Sequence, residues 1–187
     1  MPTIATDDRH AIEDLYAEYV WALDSGDVPA FLALFAPDAV FGDTAGNLYK
    51  GHEAIGAYVR GLTMSAPFRG RQHIISHLRF RPSNGRIGVK AYWLVTKWSK
   101  ASGAKTIEVS GHSDDVFVQI GGHWRFAQRL VHYLNDTDLP WAGGGAPGIL
   151  LAFGSPAAIG SGLRSTNTTW PISPKSPAPS GARRRPT

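Results

Sequence analysis

Acid–base chemistry is the chemistry that the ionisable side chains of this sequence favour most. Histidine changes its charge near neutral pH, so a histidine in a pocket suits the role of general base. Among the seven histidines, His73 stands near the start of a predicted strand. It faces either a cavity or solvent, depending on which side of the sheet the helices cover. His73 is therefore the first candidate for a general base.

Asp24 is a carboxylate in an electrostatically unfavourable place. It falls in the last turn of a predicted helix, beside Leu23, and the C-terminus of a helix favours cations over anions. A carboxylate held near a core at such a position is a candidate site residue. The alternative is a solvated aspartate at the start of a turn.

A polar run, His112-Ser113-Asp114-Asp115, stands in the middle of another predicted strand. Polar side chains at the centre of a strand indicate that the strand lines a cavity. The alternative is that the run only forms an exposed face of the sheet.

Other kinds of chemistry find little support. The sequence has no cysteine, which excludes disulfides and thiolate metal sites. On a strand, His73 and His77 would stand about 13 Å apart, too far to bind one metal ion. Neither the Gly-x-Ser-x-Gly nucleophile motif nor a phosphate-binding glycine loop occurs between a strand and a helix. We therefore expect no metal and no cofactor.

Composition divides the chain into a body and a tail. The net charge of +4 arises in the tail, because residues 143–187 carry five basic residues and no acidic one. The preceding residues include 14 basic and 15 acidic side chains, which gives no reason to expect nucleic-acid binding. We predict a folded domain at residues 1–142 and a Gly/Pro/Ser-rich extension at residues 143–187, largely disordered beyond about residue 160. The N-terminus lacks a secretory signal and no stretch is apolar enough for a membrane helix, so we expect a cytoplasmic protein.

Apolar residues at helical spacing predict three helices. The first covers residues 8–24, with Thr6 or Asp7 as its N-cap. Asp27 caps the second, which has Pro29 near its first position and ends at residues 36–38. Residues 39–41 form a short strand and residues 43–47 a loop. The third helix covers residues 51–62.

After about residue 70 the apolar period changes to two, which predicts long strands at residues 71–81, 86–100, 106–120 and 123–134. Strict alternation in the first of them places His73 and Ile75 on one face and Ile74, Leu78 and Phe80 on the other. Helices followed by a meander of antiparallel strands predict an α+β fold. We expect a curved antiparallel sheet wrapped around three N-terminal helices, with a pocket inside the cone.

The order and spacing of five segments resemble the nuclear transport factor 2-like superfamily, in its SnoaL-like branch. These segments are YAEYVWALDSGD (16–27), FLALFAPDAVF (31–41), GHEAI (51–55), RQHI (71–74) and GHWRFAQR (122–129). The resemblance covers residues 8–135 and implies a cone-shaped, cystatin-like α+β barrel.

Within that branch, the chain is most similar to the scytalone dehydratase and hexachlorocyclohexane dehydrochlorinase families. Both carry an Asp at the end of the first helix and a His on the strand after the third, and these positions match Asp24 and His73. The resemblance implies a dyad in which the His removes a proton from carbon while the Asp orients it and stabilises the imidazolium. A leaving group then departs from the adjacent carbon without a cofactor.

Departures from these families concern the groups around the dyad. The dehydratase tyrosine beside its Asp is Leu23 here, and its second tyrosine aligns with Asp43. The lysine of the dehydrochlorinase corresponds to Tyr19. The polar pair on the penultimate strand of the dehydratase falls within residues 112–115, with a register shift of one. The dyad is retained, whereas the leaving-group apparatus differs.

We therefore expect a cofactor-independent lyase that removes water or halide from, or cleaves a C–C bond in, a hydrophobic, ring-bearing small molecule. Asp24 and His73 are the expected catalytic residues. The groups expected to contact the leaving group or a substrate oxygen are Tyr16, Tyr19, His112 and Asp115. An isomerase or cyclase of the ketosteroid or polyketide kind is the enzymatic alternative, and a non-catalytic ligand-binding module is the other. The resemblance also implies a homo-oligomer, with a trimer favoured over a dimer, and neither a nucleic-acid nor a membrane partner.

Overall fold

Three helices and a six-stranded sheet make up the part of the chain that the computed structural model describes, residues 3–134. The helices are α1 (Thr6–Ser25), α2 (Val28–Ala33) and α3 (Gly51–Met64), and a 3₁₀ turn at Ala66–Phe68 follows α3. The strands are β1 (Phe35–Gly42), β2 (Leu48–Lys50), β3 (Arg71–Ser83), β4 (Arg86–Trp98), β5 (Lys105–Ile120) and β6 (His123–Tyr133). The predicted α+β class is confirmed. The extension predicted at residues 143–187 lies outside the described residues.

The sheet is curved and unclosed, with the strand order β2-β1-β6-β5-β4-β3. Strands β3 to β6 form the predicted antiparallel meander. β1 pairs with β6 in parallel, so the expectation of a wholly antiparallel sheet is wrong. The reason lies in the connection: β1 reaches β6 through the rest of the domain, and only long connections allow neighbouring strands to run parallel.

Helix α1 places one apolar stripe against the sheet, as its periodicity predicts. Its buried residues include Ile12, Leu15, Tyr16, Tyr19 and Leu23. The helix begins after Ala5, which makes no side-chain cap, so the predicted Thr6 or Asp7 cap is wrong. It ends at Gly26, whose φ of 73° is the left-handed conformation that glycine adopts without strain.

The segment after α2 differs from the prediction. Asp27 caps α2 as expected, because its Oδ1 accepts a hydrogen bond from the N–H of Ala30 at 3.0 Å. Residues 36–38 do not simply end the helix, since they already belong to β1. Proline is tolerated there because the β1–β6 register shifts between Phe35 and Val40. The three-residue strand β2 was not predicted and extends the sheet beyond β1.

A β-bulge in β3 overturns the predicted alternation of that strand. The β3–β4 register shifts between Ser76 and Arg79, and His77 has a φ of 55°. Because a bulge inserts one extra residue, the face that each later side chain occupies is reversed. Ile75, Leu78 and Phe80 therefore all pack against the core, whereas Ile74 is exposed.

Candidate active site

Asp24 and His73 meet at the end of α1 and the start of β3. The Asp24 Oδ1 atom lies 2.5 Å from His73 Nδ1, and its Oδ2 accepts a hydrogen bond from the His73 backbone N–H at 2.8 Å. An ionised carboxylate only accepts hydrogen bonds, so Nδ1 donates. In the neutral ring the lone pair is then on Nε2, which is the nitrogen available to take a proton.

The dyad is shielded but not sealed from solvent. The His73 side chain is 17% exposed and the Asp24 side chain 18% exposed. The last turn of α1 contains no basic residue, so the helix terminus opposes the negative charge of Asp24. The two hydrogen bonds from His73 offset that unfavourable position, which explains why a carboxylate stands there.

A second polar group lies on the inner face of the sheet, between α1 and strands β5 and β6. One oxygen of Asp115, Oδ2, accepts from the Tyr16 hydroxyl at 2.5 Å, from Ser113 Oγ at 2.7 Å and from Arg129 Nη1 at 2.6 Å. The Arg129 guanidinium also lies 4.3 Å from the centre of the Tyr19 ring. We call Tyr16, Ser113, Asp115 and Arg129 the buried quartet.

Burial is the largest single influence on the pKa of each ionisable member of the buried quartet. It raises the pKa of Asp115, although Arg129, Tyr16 and Ser113 each favour the anion. Burial also raises the pKa of Tyr16 and that of Tyr19. For Arg129, burial alone would lower the pKa, but Asp115, Tyr19 and Tyr16 outweigh it, so the pKa is raised and the guanidinium stays charged.

Two polar atoms of the buried quartet have no partner in the described part of the chain. Asp115 Oδ1 and Arg129 Nε are inaccessible to solvent and have no hydrogen-bond partner within residues 3–134. Asp114 Oδ1, on the outer face of the sheet, likewise has no hydrogen bond of good geometry within these residues, but it forms an ion pair with Lys90 Nζ at 2.7 Å. A buried polar atom without a hydrogen bond is costly, so the Asp115–Arg129 pair does not have its most favourable hydrogen bonding. The packing of the surrounding fold holds the two side chains in this arrangement.

The structure therefore brings the predicted site residues together in part. Asp24 joins His73, and Tyr16 joins Asp115, with Tyr19 beside Arg129. His112 does not share their face. Because Asp115 bonds to Tyr16 of α1 and Ser113 bonds to Asp115 on the same face, alternation places His112 on the outer face, where its ring stacks on His132 at 4.9 Å.

Arg129 is the member of the site that the sequence did not predict. If β6 alternated without a break, Arg129 would lie on the other face of the sheet from Trp124 and Phe126, outside the core. The β5–β6 register shifts between Val116 and Phe117, so one extra β6 residue stands between Phe126 and Gln128. This bulge turns Arg129 inward, and no pattern in the sequence marks it.

Trp93 forms a further part of the inner face near the dyad. It lies on β4 two residues from Val95, the cross-strand partner of His73, and its indole N–H donates to the carbonyl of His112 at 2.9 Å. A Cβ on Gly111 would overlap this indole and the backbone carbonyl oxygen of His132, so only glycine fits there. Trp93 is buried but lies outside the contiguous hydrophobic core.

The described part of the chain shows no second candidate site in a cavity, no cluster of metal ligands and no membrane-spanning helix. Two surface cavities, of about 520 and 590 Å³, are lined by neither Asp24 nor His73. No group of three or more His, Asp or Glu side chains in residues 3–134 is placed to hold a metal ion. None of the helices formed by these residues is both long and apolar enough to traverse a bilayer.

Comparison with known proteins identifies the class that this fold and site define. The profile of the SnoaL-like domain family matches residues 5–130, and the chain belongs to that family, within the nuclear transport factor 2-like superfamily. Members of the family include polyketide cyclases and dehydratases. The search of curated proteins found no match.

Solved structures share the fold at low sequence identity. Aln2 from a Streptomyces species is 24% identical, with a TM-score of 0.65 over 71% of this chain and 94% of that one. An NTF2-like protein with a cystatin-like fold from Novosphingobium aromaticivorans is 21% identical, with a TM-score of 0.61 over 71% and 85%. A proposed scytalone dehydratase from the same organism is 21% identical, with a TM-score of 0.60 over 68% and 85%. The predicted resemblance and the cystatin-like fold are thereby confirmed.

Proposed function

We propose that this protein is a cofactor-independent lyase in which His73 is the general base and Asp24 its orienting partner. The observation that carries the proposal is the double hydrogen bond from His73 to the Asp24 carboxylate. It fixes the ring at both the backbone and Nδ1, and it leaves Nε2 for the substrate.

The chemistry that this arrangement supports is an elimination. Nε2 takes a proton from a carbon of the substrate, and the C–H electron pair becomes the new double bond. The leaving group, hydroxide or halide, departs from the adjacent carbon with its own bonding pair. Asp24 stabilises the imidazolium that forms, and a departing hydroxide can take the proton back. If the abstracted proton is instead on a hydroxyl, the O–H bonding pair forms a C=O bond and the neighbouring C–C bond breaks. The carbon that keeps the C–C bonding pair then takes the proton from the imidazolium.

The surroundings of the dyad favour a hydrophobic, ring-bearing substrate. Phe68, Ile75, Trp93 and Val95 lie around His73 on β3, β4 and the 3₁₀ turn. On α1, Tyr19 interacts electrostatically with Asp24, so we propose that it contacts a leaving group or substrate oxygen. Tyr16 and Asp115 bind each other, so we propose that they line the deeper part of the site. His112, on the outer face, has no part in this proposal.

A substrate screen with matched variants tests the proposal. Hydroxylated and halogenated aromatic and alicyclic compounds are incubated with the wild type, His73→Ala and Asp24→Asn, with His10→Ala, an exposed histidine of α1, as control. We expect loss of water, hydrogen halide or a carbon fragment by mass, about 10²- to 10⁴-fold slower in His73→Ala and unchanged in His10→Ala. Asp24→Asn is expected to lose activity because its amide would donate to Nδ1 and move the ring proton to Nε2.

The other outcomes decide between the alternatives. Isomeric products of unchanged mass would replace the lyase by an isomerase or cyclase that uses the same dyad. Saturable binding without turnover, unaffected by His73→Ala, would make the domain a non-catalytic ligand-binding module.

The homo-oligomer remains a proposal that exposed apolar side chains support. On the outer face of β3, β4 and β5, the large apolar residues that are more than 40% exposed include Ile74, Tyr92, Trp98 and Ile107. Covering such a patch with a second copy would remove apolar area from water. Light scattering after size-exclusion chromatography should give a trimer or a dimer, and Ile107→Lys should shift it toward the monomer. A monomeric wild type would refute the proposal.

A further inference from the structure

Phe68 contacts the imidazole ring of His73. The two rings stack with centroids 5.7 Å apart and planes inclined by 29°. Phe68 is buried in the 3₁₀ turn between α3 and β3 and is 4% exposed. Asp24 holds the Nδ1 edge of the imidazole and Phe68 covers its face, which together leave the Nε2 edge open.

Three charged side chains stand next to this stack. Arg71 on β3 and Lys97 on β4 are direct cross-strand partners, and like charges in such positions repel. Glu108 lies between them: its Oε2 accepts from Arg71 Nε at 2.6 Å, and its Oε1 is 3.8 Å from Lys97 Nζ. Glu108 is the extra residue where the β4–β5 register shifts between Val95 and Thr96, so a bulge supplies the bridging carboxylate. We call these residues the Glu108 network.

The Glu108 network holds the turn that carries Phe68 at two points. Lys97 Nζ donates to the carbonyl oxygen of Pro67 at 2.5 Å. The Arg71 guanidinium lies 5.6 Å from the centre of the Phe68 ring. The chain of contacts therefore runs from Glu108 through both cations to the Phe68 turn, and from Phe68 to His73.

We propose that Phe68 is a positioning residue for His73, and that the Glu108 network fixes Phe68. The stacked ring keeps the imidazole in the plane in which Nδ1 meets the Asp24 carboxylate, so one tautomer prevails and Nε2 keeps one direction. The catalytic meaning of this role rests on the proposed function. Its physical content, a single ring orientation and tautomer, is measurable without any substrate.

Nitrogen-15 NMR of histidine side chains tests the role of Phe68. In the wild type, His73 should show a protonated Nδ1, an unprotonated Nε2 and a slowly exchanging Nδ1 proton. Phe68→Leu keeps an apolar side chain but has no flat face, so we expect mixed tautomer shifts and loss of the Nδ1 proton signal. Phe68→Tyr keeps the ring and should retain the wild-type signature. Phe41→Leu, a buried ring in contact with Phe31 and Phe35 rather than His73, is the structural control and should also retain it.

Two outcomes overturn the proposal: an unchanged signature in Phe68→Leu, or its loss in Phe41→Leu as well, which would mean that any core defect disturbs His73. If Phe68→Leu does not fold, Glu108→Gln tests the same role by weakening the contacts that fix Phe68. The Glu108 side chain is 22% exposed, so we expect this variant to fold. It should weaken the Nδ1 proton signal, and an unchanged signal there would overturn the role of the network.

Activity measurements separate this inference from the proposed function. With any substrate that the screen identifies, Phe68→Leu should lower kcat about tenfold and change KM little, because a misdirected base affects the reaction and not binding. If His73→Ala keeps full activity, the proposed function fails while the NMR result for Phe68 stands by itself.

Discussion

Removing one charge of the Asp115–Arg129 pair should cost far more than removing both. Arg129→Met leaves a carboxylate at a position with 0% side-chain exposure, and Asp115→Asn leaves a guanidinium at a position with 2% exposure. Breaking a buried ion pair in this way typically costs about 3–5 kcal/mol, because the remaining charge is neither solvated nor paired. We expect each single variant to lose about that much of its free energy of unfolding.

The double variant should recover much of this loss. With both charges gone, no ion is left without a partner, and the introduced methionine side chain would fill part of the space that the Arg129 stem occupies. Tyr16 and Ser113 can still donate to the oxygen of the introduced amide, so most hydrogen bonds of the buried quartet persist. The coupling free energy between the two substitutions should therefore be at least about 2 kcal/mol.

Urea unfolding followed by circular dichroism measures the cycle. The singles, the double and the wild type are compared at one pH, and Lys90→Met with Asp114→Asn provides a second cycle. That pair is 2.7 Å apart, but Lys90 is 32% exposed, so its coupling should be smaller, about 1 kcal/mol or less. Additive costs at Asp115 and Arg129 would refute the reasoning, since they would mean that neither charge depends on the other.

Three further predictions follow from particular residues. Because the pKa values of Tyr16 and Tyr19 are raised in the folded protein, only the unfolded chain releases these protons just above about pH 10. Their contribution to stability is therefore fully present below about pH 10 and falls above it. In urea unfolding between about pH 8 and about pH 11, Tyr16→Phe should lose less stability with rising pH than the wild type does. Gly111→Ala should destabilise by about 1–3 kcal/mol and change the near-ultraviolet circular dichroism, because its Cβ would meet Trp93; an unchanged melting temperature would contradict this. At His77, with its φ of 55°, Val should lower the midpoint of thermal unfolding and Gly should not, and equal midpoints would argue against the bulge.

The sequence predicts the elements that follow a single period and fails where the period breaks. The stripe of α1, the Asp27 cap and the long strands of the meander are local patterns, and all three are observed. β2 has three residues and no pattern of its own. The strand at Phe35–Gly42 forms although it contains a proline, because the residues around Pro37 are not paired with β6.

The same limit applies to the candidate site. Asp24 and His73 are predicted from residue types and from the family resemblance, and the structure brings them within hydrogen-bond distance. Arg129 is missed because a bulge in β6 reverses its direction, and Glu108 because it is itself a bulge residue. Bulges depend on how two strands pair across the sheet, so the residues of one strand do not disclose them.

The two polar groups of the inner face differ in exposure, and the difference suits them to different tasks. Every charge of the buried quartet is enclosed, and Asp115 and Arg129 neutralise each other, so a change of protonation in one would leave the other without a partner. Such a group suits the joining of α1 to β5 and β6. The dyad is partly exposed to solvent, and both carboxylate oxygens of Asp24 accept hydrogen bonds from His73. Since only Nδ1 of the imidazole is bonded to Asp24, Nε2 is left for another molecule. A proton can enter or leave there without breaking the fold, which is the property that a general base requires.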